Sequence, residues 1–425
     1  GGGHLYPRPD LYLSFATATG GWTPPRPLAP PINTAAGESN PSLSPDGRWL
    51  YFTSERSPFQ VPMPHPLTAG DLARQLASPL NGAGNLYRTP TDLLVLPPAA
   101  PWPGLAETPE SPEPPSPPFS LPPAGRGAPP YQAVSLPAPR LVGEGVISTA
   151  ADEFGGQLTE DGWTLFFNRS VPRSQLYVIL FSTFSHGRWG APRVAPFSGR
   201  WRDFDATLSP DGRRLYFVSD RPLSGSPGDD YNVWYLERTP EGWSAPRPLG
   251  PPVNGAGSAH FVSATRDGTL YFTSTRPGNR GWADVYRTRL VDGRHAPAEN
   301  LGDAINRPEW ANLEAVVAPD ESFLLVSATG HADGYGDSDL YVSFRRDGLW
   351  QPLRNLGPRI NSAARDYSPR LSPDGRYLLY ASERGLPTGE HPRTYRDLVR
   401  ALRSVRNGLG NLYQVDLAAA LAERP

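Results

Sequence analysis

The chain has 425 residues, with 40 basic and 42 acidic side chains and a formal charge of −2. That balance makes no electrostatic case for nucleic acid. There is no Cys, so disulfides, thiolate nucleophiles and thiolate metal sites are excluded. Every basic residue is Arg, since the sequence contains no Lys.

No apolar run approaches membrane-spanning length. The start at Gly1-Gly-Gly3 and the single Met, Met63, read as a processed or engineered chain from which any signal peptide has already gone. Residues 10 to 28 hold two short strand signals, Asp10-Leu-Tyr12 and Trp22-Thr-Pro-Pro-Arg-Pro-Leu28. Then comes a phrase that the chain repeats, Asn40-Pro-Ser-Leu-Ser-Pro-Asp-Gly-Arg-Trp-Leu-Tyr-Phe-Thr-Ser-Glu-Arg56. Pro presets φ, Asp tolerates the tight turn and Gly takes positive φ, so two strands joined by a turn are predicted. Full copies end at Arg221 and Arg384, and weaker ones carry Asp161-Gly162, Asp267-Gly268 and Asp320-Glu321. The last five turn Asp residues stand 50, 56, 53 and 54 residues apart.

A polar–aliphatic–aromatic phrase follows each copy: Asn85-Leu-Tyr87, Gln175-Leu-Tyr177, Asn232-Val-Trp234, Asp284-Val-Tyr286, Asp339-Leu-Tyr341 and Asn411-Leu-Tyr413. A Trp-and-Pro edge strand comes next in several, as at Trp189, Trp243 and Trp350. Four short strands per period of this length predict propeller blades, which bury their faces only by stacking round an axis. The reading is all-β, a single six-bladed β-propeller over 1–425, with residues 10 to 28 completing the last blade.

Three insertions interrupt the pattern. Residues 57–84 and 385–410 align on each other: Asp71-Leu-Ala-Arg74 matches Asp397-Leu-Val-Arg400, each with Thr three residues before the Asp. That is a helix-start signal followed by helical Leu spacing, so a short helix is predicted in each. The two helices are expected to lie near each other and roof one face, with Arg393, Arg396, Arg400 and Arg403 available to an acidic partner. Residues 97–139 carry 16 Pro, which predicts a solvated polyproline or disordered excursion.

The sequence contains no nucleophile-elbow, Walker or zincin motif. Aligning the repeats on the turn Asp gives one constellation. Eight residues earlier stand Glu38, Glu153, Asp203, Ala259, Asn312 and Asp366; the next column holds Ser39, Phe154, Phe204, His260, Leu313 and Tyr367. These should ring one mouth of a central channel. The acids either cap local turns and pair with Arg such as Arg202 or Arg365, or draw a cation or cationic ligand. Asp333, Asp337 and Asp339 form a second acidic cluster that could take Ca²⁺ through oxygen ligands. No other cofactor is expected.

The Ser-Pro-Asp-Gly turn, the Leu-Tyr-Phe strand and the Asp/Asn-Leu-Tyr strand together resemble the TolB-type, WD40-like propeller repeat family. The resemblance covers nearly the whole chain. It implies a propeller and an exported, periplasmic or extracellular setting, but names no ligand, since the fold serves many functions. The expectation is a monomeric, non-catalytic binding or scaffolding module that docks a protein or peptide on the helix-bearing face. The rival is a hydrolase or lyase acting on a carbohydrate or peptide at the channel mouth.

Overall fold

A computed structural model describes residues 9–17, 20–34, 36–57, 62–63, 65–78, 82–94, 119–122, 135–171, 176–223, 230–385 and 394–422. The chain forms two compact units. One comprises Gly1–Gln60, Gly70–Pro115 and Val171–Gln175; the other comprises Val61–Ala69, Ser116–Ser170 and Leu176–Pro425.

The larger unit is built from five antiparallel sheets, designated I to V by their innermost strands: Asp152–Leu158, Asp203–Leu208, Ala259–Ala264, Ala311–Val317 and Asp366–Leu371. Each innermost strand packs against the next in order, and that of sheet V returns to that of sheet I. The result is a closed five-sheet ring, a β-propeller within this unit. The middle strands are buried on both faces because each sheet lies between two others. Leu215, Tyr216, Phe217 and Val218 are all buried, so this run is continuously apolar rather than alternating.

Two sequence expectations are corrected here. Residues 10 to 28 do not complete the last sheet. Strand Tyr12–Leu13 pairs with Arg26–Pro27, and the fourth place in sheet V belongs to Arg140–Leu141, paired with Tyr413 and Gln414. The ring also has five sheets rather than six. The first repeat forms a three-stranded sheet, Glu38–Leu43, Trp49–Ser54 and Asn85–Pro90, in the smaller unit. The sequence does not mark the closing strand, because two residues at the end of a Pro-dense stretch carry no periodicity.

The repeated phrases have distinct mechanical roles. Each turn Asp accepts from the backbone N–H two residues on, at 3.1 Å for Asp46, Asp161, Asp211, Asp267, Asp320 and Asp374. The next residue adopts positive φ. It is Gly in five repeats and Glu321, at 56°, in the sixth. The Ser-x-Arg at the end of the phrase is a lock. Arg221 donates to Ser219 Oγ at 2.9 Å and to the Phe197 carbonyl at 2.8 Å, and its guanidinium lies 5.0 Å over Phe217 and 5.2 Å over Trp234. Arg56, Arg276 and Arg384 repeat this, each reaching a carbonyl 24 residues back and lying over the aromatic of the third strand, Tyr87, Tyr286 and Tyr413 respectively. The two aromatic phrases are thus the two slices that hold one arginine.

The predicted helices are present: α1, Ala69–Leu76, and α2, Tyr395–Leu402. Thr394 caps α2 by accepting from the Asp397 N–H at 3.1 Å. A third helix, α3 at Leu417–Ala422, buries Leu417 and Ala420 against sheet V. Asp416, a preferred cap residue, stands immediately before its Leu- and Ala-rich run, so its start signal is present in the sequence. Among the described residues, no helix is long and apolar enough to cross a membrane.

Candidate functional site

The ring centre is shaped by a defect repeated in all five innermost strands. Pairing with the second strand slips between Phe154 and Gln157, Phe204 and Thr207, His260 and Val262, Asn312 and Glu314, and Tyr367 and Arg370. A bulge of this kind re-aims a side chain. Four of the five sit on a residue with positive φ: Gly155, Asp205, Phe261 and Ser368.

The acids predicted at the mouth precede these bulges, and the fold makes use of each one. Glu153, Asp203, Asn312 and Asp366 are 0% exposed. Glu153 accepts from the Thr149 N–H at 2.9 Å, Arg169 Nε at 3.0 Å and Asn411 Nδ2 at 3.2 Å. Asp203 accepts from Ser219 Oγ and from Arg221 Nη2, each at 2.7 Å. Asp366 accepts from the Ser362 N–H at 2.6 Å and Arg384 Nη2 at 2.8 Å. Asn312 donates to the Ile305 carbonyl at 3.0 Å and Asn306 Oδ1 at 2.9 Å. Glu38 does the same work in the smaller unit, held by Thr34 and Ser54. Arg202 pairs with Asp220, and Arg365 with Glu383.

The neighbouring column brings aromatics together. Tyr367, Phe154, Tyr177, Phe204, Tyr231 and His260 follow one another with ring centroids 5.9, 5.7, 5.0, 5.0 and 5.5 Å apart. They form an arc running from sheet V through I and II to III. Phe154 and Tyr367 are buried, while Tyr177, Phe204, Tyr231 and His260 are partly open. Burial holds His260 down to about 4, so its imidazole is neutral at physiological pH.

One residue further along, the bulges converge on a charged cluster that sequence reasoning missed. Arg370 Nη2 donates to Asp205 Oδ1 at 3.2 Å, and the guanidinium lies 4.0 Å over the Phe261 ring. Glu314 accepts from the Ser368 N–H at 2.8 Å and Ser368 Oγ at 2.9 Å. Asn168 Oδ1 accepts from the Asp205 N–H at 3.0 Å. Arg370, Asp205 and Glu314 are 1%, 3% and 9% exposed, and Arg370 Nε has no partner among the described residues. Burial pushes Asp205 up to about 7; Arg370 pulls it back, and the charge of Glu314 pushes it further up. The signal was present two columns past the mouth acids, where Gly155, Asp205, Phe261, Glu314 and Ser368 align, but the bulge that turns them inward is invisible in sequence.

The pH dependence of stability follows from these groups. Burial is also the largest cause raising Glu153 to about 7 and Asp203 to about 6, against ordinary values of 4.5 and 3.8. A carboxyl raised by folding is protonated in the native state where the unfolded chain is already ionised. It therefore stabilises the fold at low pH, and that contribution fades as pH rises from about 4 through 7. His260 and His331, both held down to about 4 by burial, oppose this, because their contribution is present above about pH 6.5 and is lost as pH falls toward 4. With three raised carboxyls against two lowered imidazoles, the melting temperature should be higher at pH 5 than at pH 8. A melt that rises steadily from pH 5 to 8 would contradict this.

The other predicted residues lie elsewhere. Asp339, 1% exposed, accepts from the Tyr335 N–H at 2.6 Å and Asn355 Nδ2 at 3.0 Å. Asp333 accepts from the Tyr341 hydroxyl at 3.2 Å. Among the described residues no three His, Asp or Glu side chains come together as a metal group, so Asp333, Asp337 and Asp339 form no ligand set. Helix α2 buries none of its residues; Arg396, Arg400 and Arg403 are exposed, as are Tyr395, Leu398 and Leu402. Arg393 lies outside the described residues.

No family model and no curated protein matches the chain. Solved structures do. A Coprinopsis cinerea GH62 α-L-arabinofuranosidase catalytic domain matches at 14% identity and TM-score 0.37, over 66% of this chain and 97% of that one. A Penicillium chrysogenum α-L-arabinanase matches at 14% and 0.34, over 89% and 92%. A Xanthomonas campestris gluconolactonase matches at 14% and 0.33, over 62% and 96%. The expectation that the chain is not an enzyme is corrected by these findings, since each of these matched structures is an enzyme. At such TM-scores the likeness carries no argument about what this chain acts on.

Proposed function

We propose that this chain is a carbohydrate-active hydrolase or lyase whose site is the mouth and centre of the five-sheet ring. One observation carries the reading: two buried carboxyl groups, Asp205 and Glu314, share a cluster with Arg370, and Asp205 follows Phe204 of the six-ring aromatic arc while Ser368, which bonds Glu314, follows Tyr367 of it. Aromatic faces are suited to the apolar faces of sugars, and paired carboxyls in unequal environments are what glycosidic cleavage requires.

Asp205, raised to about 7, keeps a proton available near neutrality. It would give that proton to the departing oxygen as the glycosidic bond breaks. Glu314 supplies the second carboxyl, which in a hydrolase accepts the proton of the attacking water. Arg370 acts as the positioning residue. Its bond to Asp205 fixes the carboxyl, and its stacking on Phe261 fixes the arginine.

The test is release of reducing ends from a panel of polysaccharides and aryl glycosides. Asp205→Asn and Glu314→Gln should each lower the rate at least about 100-fold, the usual worth of a positioned acid or base. Circular dichroism should remain that of the unaltered protein. Full activity in either variant would remove the centre of the ring from the chemistry.

A further inference from the structure

We propose that the groove between sheets I and II is a peptide-binding site for an extended, proline-flanked segment with one aromatic anchor, filled in this chain by its own residues 119–122. The inference does not rest on the carbohydrate reading, because it uses none of the same residues.

Phe119 comes from the middle of the Pro-dense insertion, yet it is only 8% exposed. Its ring joins the core shared by Phe166, Ile179, Phe181, Phe217, Leu236 and Trp243, with Phe197 at 5.7 Å between centroids. Its backbone pairs antiparallel with Trp243, whose N–H donates to the Phe119 carbonyl at 2.8 Å. Ser120 Oγ donates to the Glu241 carbonyl at 2.7 Å. Leu121 packs on the same cluster. An aromatic side chain in a pocket and main-chain bonds to a sheet edge are two recurring means of holding extended peptides.

The body of the ring is adapted to this approach. A Cβ on Gly242 would fall 2.1 Å from the Phe119 carbonyl oxygen, so glycine is required for the segment to seat. The segment also leaves space beside it. A cavity of about 680 Å³ continues past Ser120 and Leu121, lined by Thr159, Glu160, Arg238 and Trp243. The sequence flanking the anchor, Pro117-Pro-Phe-Ser-Leu-Pro-Pro123, favours an extended backbone before binding, which lowers the ordering cost for a cis or a trans occupant alike. Being tethered, the cis occupant acts at a high effective concentration, and a free peptide must compete against it.

The test uses a fluorescein-labelled peptide with the sequence of residues 113–125 and the full chain. Phe119→Ser empties the pocket and should bind the peptide at least ten-fold more tightly than the unaltered chain does. The same peptide with its Phe replaced by Ser should not bind. A folded Phe119→Ser chain that binds neither peptide overturns the proposal, as does equal binding by both chains. If Phe119→Ser does not fold, the unaltered chain decides. Millimolar peptide should displace the cis segment and raise hydroxyl-radical labelling of Phe119, 8% exposed when seated, several-fold, and the Phe-to-Ser peptide should not. Unchanged labelling overturns the proposal. Concentration-dependent dimers formed by the Phe119→Ser chain, without peptide capture, would assign the groove to a second copy and also overturn it.

Discussion

Arg221→Ala is expected to cost about 3–5 kcal/mol of stability, the usual penalty for removing one partner of a buried ion pair. Arg221 and Asp203 are 5% and 0% exposed and 2.7 Å apart. Without the arginine, Asp203 keeps, among the described residues, Ser219 Oγ as a donor to that oxygen, and its Oδ2 has no partner among them even in the intact fold. The Phe197 carbonyl and the Phe217 and Trp234 rings lose their contacts at the same time. Arg221→Lys should recover little, because an ammonium cannot reach a carboxylate, a hydroxyl and a carbonyl in one plane. Urea unfolding followed by tryptophan fluorescence measures both variants. A loss under 1 kcal/mol for Arg221→Ala would show that the repeated Ser-x-Arg is not a lock.

Val142→Pro is the second large effect, expected at about 2–3 kcal/mol, the upper end of the cost of losing a buried hydrogen bond. The Val142 N–H donates to the Leu412 carbonyl at 2.9 Å, next to the two paired residues that complete sheet V. Proline removes that donor at the seam where the ring closes. The expected signature is a lower unfolding midpoint together with rapid amide exchange along Asn411–Asp416. Val142→Ala, which keeps the N–H, should cost about 1 kcal/mol by volume alone. Equal effects from the two would mean that the seam bond contributes nothing.

The sheets are legible in the sequence because each repeat announces its own turn and aromatic strands, and those are local properties. The helices were legible for the same reason, since Thr394 and Asp397 signal a cap within four residues. Sheet number and closure were not. Which short strand completes sheet V depends on a partner far along the chain, and neither Arg140-Leu141 nor Tyr12-Leu13 encodes that choice. The site was half legible. Alignment found the aromatic column and the acids above it. It could not show that those acids are held by arginines, or that a bulge turns Asp205 and Glu314 to the centre while the columns beside them stay in the wall.

The seam also sets a clock. Ser148 Oγ bonds the Leu412 carbonyl across 264 residues of chain. At about 5–20 residues per second of synthesis, the early strand waits on the order of 10–50 seconds before its partner exists. During that interval sheets I to IV can form locally, but the ring remains an open arc with raw edges at both ends. Closing it then carries the entropy of a very long loop, which grows only slowly with length, so the delay is governed by translation more than by search. Newly made chains should therefore be most prone to edge-to-edge association until the strand Asn411–Asp416 has been made. A chain stalled at residue 400 should be held by chaperones, whereas a chain extended past that strand should not.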